Sequence, residues 1–339
     1  MLKKKISSLI SVVIVLLIGS ACQSSDPETI IKTVIVEKEG ETVIETVVVT
    51  LEPTEVIDVE VEEVECCEVF HIGIYEEPVS LNYWNYLGPG SSVWTRYVIS
   101  NDAAHLFELS DRNFQFIPSL AVEIPTPVVN ADGLWEITVD MVEDAFWSDG
   151  EPITAQDVVF THNFCKDLKL TWYWPSLCTP DGADVAVEAV SDYSVRYTYL
   201  DQIPNLRNWQ FGVAMAPILP YHFWEEVGTT AMEVIDAVKQ PTFGRPENCE
   251  TTGLTNELKE LCDAWAMYDD AYASAREILF ETEVRDYPVA GGYYVKEWLP
   301  DESIQLVPNE HYYFKGAETF EFDDGTWMRL MPDGRETKL

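Results

Sequence analysis

The stretch AFWSDGEPITAQDVVFTHNF, Ala145 to Phe164, decides how this chain is read. Two acids stand near a Trp and a His, so a catalytic site, a metal loop and a piece of scaffold all compete for it. Asp149-Gly150 is a tight-turn dipeptide in which Gly supplies the positive φ. Phe146 and Trp147 precede the turn and are placed to tuck beneath it. Thr154 and Asp157 have the T-x-x-D spacing of a capping box: Thr154 accepts from the Asp157 amide while the Asp157 carboxylate reaches back and favours the helix N-terminus. Val158, Val159 and Phe160 then supply buried contacts. Each residue has a structural part to play.

Chemistry needs more than this. Asp144 and Asp149 could pair as acid and base with His162 nearby, but no third group is spaced to orient a base. A calcium loop needs oxygen ligands at alternating positions and a Glu at its twelfth, and that pattern is absent. The stretch reads as scaffold, with no catalytic residue, no metal ligand and no cofactor.

Upstream, Lys3-Lys4-Lys5 precede an apolar run from Ile6 to Ile18, followed by Gly19-Ser20-Ala21 and Cys22. A membrane span needs roughly 20 apolar residues, so the run fits a secretory signal. Small residues directly before a Cys resemble a bacterial lipobox, with Gly19 where Leu is usual. Residues 1–22 are therefore read as a lipoprotein signal, with cleavage before Cys22 and lipid on its sulfur. Residues 23–68 hold 14 acids and two lysines and no aromatic residue. Like charges repel and nothing large is available to bury, so this low-complexity segment is read as a tether, although its alternation of Val with Glu could form a transient strand.

The chain of 339 residues carries a net charge of −38. Residues 69–339 alone hold 45 acidic and 16 basic side chains. Such a field excludes nucleic acid as a partner and opposes anionic ligands. Six cysteines remain beyond Cys22: Cys66, Cys67, Cys165, Cys178, Cys249 and Cys262. An even count in an exported chain suggests disulfides. Cys165/Cys178 and Cys249/Cys262 share one spacing, so two local loops are the natural pairing, although sequence does not fix connectivity.

Periodicity places strands at Phe70–Pro78 and Leu134–Met141, two more within ADVAVEAVSDYSVRYTYL, and a late hairpin turning at Pro300-Asp301. PYHFWEEV and NELKELCDAWAMYDDAYASAREILF read as helical. Strands and helices mix without the alternation of a barrel, so the class is mixed α/β.

FWSDGEPITAQDVVFT resembles the signature of the peptide/nickel-type extracellular solute-binding proteins of ABC importers, family 5. The pattern W-x-D-G-x-P-x-T-A-x-D-V-x-F falls on Trp147, Asp149, Gly150, Pro152, Thr154, Ala155, Asp157, Val158 and Phe160. Further segments are similar in the same order: EEPVSLNYWNY, with Asn82-Tyr83 where many members have D-P; FIPSLAVEIP; APILPYHFWEEV; and YPVAGGYYVKEWLPDESIQLVPNEHYYFKG, where Gly291-Gly292-Tyr293 lacks the family's Pro. The resemblance covers residues 69–318.

The resemblance implies a periplasmic-binding-protein-like type II fold whose two lobes close on a ligand. Lobe I is assigned to residues 69–318. Residues 319–339 are read as a tail or the start of a second lobe that is largely missing, because members run well past this length. It also implies a ligand-binding loop after the first strand: Trp84, Tyr86, Gly88, Pro89, Gly90, Ser91, Ser92 and Trp94. There exposed backbone could pair with an extended peptide and aromatics could wall a site. The Pro288–Tyr293 stretch is expected near the hinge. The implied function is a lipid-anchored, monomeric solute receptor on the extracytoplasmic face of a bacterial membrane, taking a peptide or other small solute and partnering an ABC permease. The alternatives are a surface hydrolase and a truncated sensory or structural lipoprotein without transport.

Overall fold

The computed structural model describes residues 30–38, 41–49, 69–110, 112, 114–201, 209–250 and 255–339. The leader with Cys22, and the pair Cys66 and Cys67, lie outside them. The chain divides into two units, Met1–Ile72 and Gly73–Leu339. In the first, β1 (Ile30–Lys38) and β2 (Glu41–Val49) pair antiparallel, from Ile30 opposite Val49 to Lys38 opposite Glu41. Alternating β-branched residues favour such pairing, and the alternation of Val with Glu in the acidic segment is where it occurs.

The second unit is the mixed α/β body. It begins with two short helices, α1 (Tyr83–Tyr86) and α2 (Val93–Ile99). The strands β3 (Phe107–Leu109) and β4 (Phe116–Pro118) then form a small antiparallel pair. A four-stranded antiparallel sheet follows, in the order β5 (Val128–Val129), β6 (Trp135–Asp140), β8 (Ser194–Tyr199) and β7 (Val185–Ser191). Two helices, α3 (Ala155–Asp167) and α4 (Pro175–Cys178), separate β6 from β7 (Val185–Ser191) and β8 (Ser194–Tyr199). The longer helices α5 (Tyr221–Asp236) and α6 (Asn256–Glu281) come next. The chain then forms a hairpin of β9 (Tyr293–Leu299) and β10 (Ser303–Pro308). Last is a three-stranded sheet of β11 (Glu318–Glu321), β12 (Trp327–Leu330) and β13 (Glu336–Lys338).

The period-two reading of β6 holds. Ile137, Val139 and Met141 are buried and Thr138 and Asp140 exposed. Opposite them on β8, Tyr197 faces Ile137 and Val195 faces Val139, and both are buried. One side of the sheet thus closes a core that also takes Trp147, Trp209, Phe107 and Phe116. A second core lies among the helices and is dominated by Trp84, Trp174, Trp224, Phe164 and Leu279. Helix α3 serves both: Val158 faces the first core, and Phe164 and Cys165 face the second.

One expected strand does not form. Residues 69–79 make no strand, and Phe70 is 88% exposed. Alternation of apolar residues there meets no neighbouring strand among the described residues, and a strand without a partner leaves its backbone unsatisfied. Residues 318–339 pack near β4 and bring Arg329 within 3.7 Å of Glu108.

Candidate functional site

The opening stretch folds into a narrow turn followed by a capped helix. Phe146 bridges Pro152, Trp147 N–H donates to the Glu151 carbonyl at 2.8 Å, and Gly150 takes φ +92° at the tip. Trp147 is buried beneath the turn. Thr154 is the N-cap of α3, and its capping box with Asp157 is formed. Thr154 N–H and Oγ1 donate to Asp157 Oδ2 at 2.7 and 3.2 Å. Burial raises the Asp157 pKa, against the lowering effect of these hydrogen bonds and of His222.

Asp149 meets His222 Nε2 at 2.9 Å, which fastens the turn to α5. The pair is half exposed. The neighbouring hydroxyl does not join it: Ser148 Oγ accepts from the Val289 amide at 3.0 Å. Among the described residues no group of three or more His, Cys, Asp or Glu could hold a metal.

His162 points elsewhere. It lines a small cavity with Leu106, Val158, Tyr197, Val213 and Ile218. Neither ring nitrogen meets a partner at hydrogen-bonding geometry. Burial lowers its pKa to about 4, outweighing the Val185 carbonyl, which favours the proton. The cavity is on the scale of a water molecule and belongs to the core.

The eight residues of the expected binding loop part company. Trp84 is not a wall of a site: it is 0% exposed, its ring 4.6 Å from Trp174 and 5.4 Å from Phe164. Gly88 and Gly90 are buried. A Cβ on Gly90 would lie 2.5 Å from Asn85 Oδ1, and one on Gly88 3.0 Å from the Trp84 carbonyl oxygen. The loop closes on itself. The amides of Gly88 and Gly90 donate to the Asn85 carbonyl, and that of Ser91 to the Gly88 carbonyl. Pro89 is exposed but has no N–H to offer. This is a helix-to-helix turn and not a strand edge, so it lacks the row of backbone donors that strand addition needs. Ser92 caps α2, accepting from the Trp94 amide at 3.1 Å. Trp94 is half-buried, between Tyr75 and Tyr97. Tyr86 is half-buried and packs edge-on against Tyr83.

Asn82, the departure from the family's Asp, has a physical account. Its Nδ2 donates to the carbonyls of Leu279 and Thr282 at 2.8 and 3.1 Å. These are orphan carbonyls at the end of α6, and a carboxylate could not donate to them.

The Pro288–Tyr293 stretch threads between other segments. Ala290 N–H donates to the Asp102 carbonyl at 2.7 Å, Ser148 N–H to the Val289 carbonyl at 2.9 Å, and Asn309 Nδ2 to the Gly291 carbonyl at 2.8 Å. Burial pushes the Asp102 carboxyl well above its usual range.

A group missed in the sequence lies beside Tyr86. The loop after α3 exposes Trp172 and Tyr173, and Tyr173 N–H donates to the Leu87 carbonyl at 3.2 Å. The signal was available as the aromatic run Trp172-Tyr173-Trp174 bracketed by Cys165 and Cys178. These two cysteines form one disulfide, and Cys249 with Cys262 another, with Cα separations of 6.3 and 5.6 Å.

Every position of the W-x-D-G-x-P-x-T-A-x-D-V-x-F pattern thus lies in one turn and one capped helix. The profile of the bacterial extracellular solute-binding proteins, family 5 (middle region), matches residues 115–327, and the chain belongs to that family. Family 5 is a solute-binding class, not an enzyme class. The chain is 31% identical over 97 residues to a probable peptide-binding protein, YejA, of Agrobacterium fabrum, a match covering 29% of this chain and 15% of that protein. Among solved structures it is similar to the oligopeptide-binding protein of Thermus thermophilus complexed with a pentapeptide, with 19% identity and a TM-score of 0.45 over 75% of this chain and 38% of that one. It is also similar to AppA of Bacillus subtilis in complex with a nonapeptide, with 22% identity and a TM-score of 0.43 over 71% and 36%. The chain spans little more than a third of the length of these structures.

Proposed function

We propose that this protein is the membrane-tethered, extracytoplasmic solute-binding component of an ABC importer, and that its solute is a peptide or a similar small molecule. The observation that carries the reading is family membership across residues 115–327. The leader supports the tether: three lysines, an apolar run and small residues before Cys22. The partners are then the solute, an ABC permease and the lipid on Cys22.

Two measurements test this. A binder is stabilised by RT ln(1 + [L]/Kd), or about 2.7 kcal/mol at a hundredfold excess over Kd. Thermal unfolding with pooled tri- to pentapeptides should show such a rise, and the absence of any rise up to millimolar peptide counts against a peptide solute. Cys22→Ser should release the protein from the membrane fraction, and a variant that still partitions with membranes removes the lipid anchor.

A further inference from the structure

The loop after α3 holds two aromatic side chains out of the protein with unusual firmness. Trp172 is 63% exposed and Tyr173 57%. Trp172 sits at φ +67° and Lys169 at φ +49°. For a bulky side chain that region is unfavourable, and it persists only where the surroundings over-determine it.

They do so here. Trp174, next in the chain, is fully buried, and its Nε1 donates to the Trp84 carbonyl at 3.1 Å. Arg276 Nη1 donates to the carbonyls of Leu168 and Lys169, both at 3.3 Å. The Cys165–Cys178 disulfide closes the loop, and the Tyr173 amide is tied to Leu87. That last bond brings Tyr173 beside Tyr86, whose pKa burial raises, with Tyr173 adding to the rise. Tyr86 at the end of α1 and the exposed Trp172-Tyr173 pair therefore lie on neighbouring segments. Held rigidly, they present contact area without an ordering cost at the moment of binding.

The chemistry of an occupant follows from what surrounds the rings. The Tyr173 amide is already bonded to Leu87, and what the loop exposes is ring surface. Elsewhere the chain lays its own cations on partly exposed aromatics: Arg112 over Trp327, Lys169 over Tyr272, Arg245 over Trp265 and Arg329 over Phe314. Among the described residues no such contact involves Trp172 or Tyr173. Arg96 acts on Tyr86 and lowers its pKa, so its positive field opposes a cationic occupant. We propose that Tyr86, Trp172 and Tyr173 form a subsite for an uncharged aromatic or aliphatic side chain of a bound peptide. This rests on the peptide-binding reading above.

The test uses the full chain and nine probes: tetra-alanine, four variants with one Phe and four with one Lys. At least one Phe peptide should bind about tenfold tighter than tetra-alanine, the scale of a well-seated aromatic contact, and no Lys peptide should. Trp172→Gly removes the ring and suits the left-handed backbone, so its unfolding midpoint should hold or rise while the Phe preference falls. Tyr173→Ala should lower that preference independently, the readout in both variants being the ratio of Phe-peptide to tetra-alanine affinity. A Phe preference that survives both substitutions, or an equal gain for Lys, overturns the subsite but leaves peptide binding standing. Failure of the wild type to bind any of the nine overturns both. Loss of self-association in Trp172→Gly, with peptide binding unchanged, would give these rings to a second copy of the chain instead.

Discussion

Asp157 Oδ1 accepts the backbone amide of Tyr221 at 2.8 Å while Asp157 Oδ2 accepts the amide of Thr154 at 2.7 Å. One carboxylate therefore satisfies the start of α3 and the start of α5 together. Thr161 repeats the tie one turn later, where its Oγ1 accepts the Leu219 amide at 2.9 Å. Asp157→Ala leaves two amides without their partner, so it should cost about 2–4 kcal/mol. Thr154→Ala keeps the backbone bond to Asp157 and should cost on the order of 1 kcal/mol. Urea midpoints give the order, and peptide titration of the same variants should show affinity nearly unchanged. Equal costs, or a binding loss at unchanged stability, would contradict a scaffold role.

Gly291 is fixed by a close approach. A Cβ there would lie 2.3 Å from the Asn101 carbonyl oxygen, and the backbone cannot withdraw because Ala290 and Asn309 hold it from both sides. Gly291→Ala should cost about 2–3 kcal/mol, at the upper end of overpacking penalties. Gly73→Ala is the control, since nothing lies within 4 Å of its Cβ position. Unfolding midpoints that fall equally in both variants would disprove the steric account.

The sequence was most legible where a pattern repeats. Trp135 to Met141 alternates, and a strand with one buried face follows from that alone. Thr154 and Asp157 carry their cap in their spacing. The site was less legible because its parts depend on tertiary contacts. Trp84 reads like Trp94 in sequence, yet one is core and the other half-buried, because only Trp84 meets Trp174 and Phe164. Helices α1 and α2 were hidden by aromatic and β-branched residues with weak helix propensity, although Asn82 and Ser92 are the caps that start them. No residue code marks Trp172 as left-handed, since a Gly or Asn would be usual there.

Both disulfides close loops of sequence separation 13. Loop closure of this length is worth about 3 kcal/mol through the unfolded chain. Non-reducing peptide mapping should recover Cys165 with Cys178 and Cys249 with Cys262. The double variant Cys165→Ser/Cys178→Ser should lose about that much stability. Free thiols at these four positions, or crossed pairs, would refute the connectivity.

Acid should weaken the fold through two histidines. Burial holds His162 and His105 each down to about 4 from an ordinary value of 6.5. The unfolded chain therefore binds protons that the folded one refuses, so each group's contribution is complete above about pH 6.5 and declines as pH falls toward 4. The span is worth about 3 kcal/mol for each. Asp102 and Asp157, whose pKa values burial raises, work in the opposite sense, because acid relieves the cost of their buried charge. A single substitution separates the two effects. His162→Leu removes the titrating group from its cavity and leaves the carboxylates in place. The stability of this variant relative to wild type should rise by about 3 kcal/mol between pH 7 and pH 4. Urea unfolding of the two proteins at a series of pH values reads this difference directly. A difference that stays flat with pH would mean that His162 gains a proton as readily in the fold as in the open chain, and its burial would then carry no acid sensitivity.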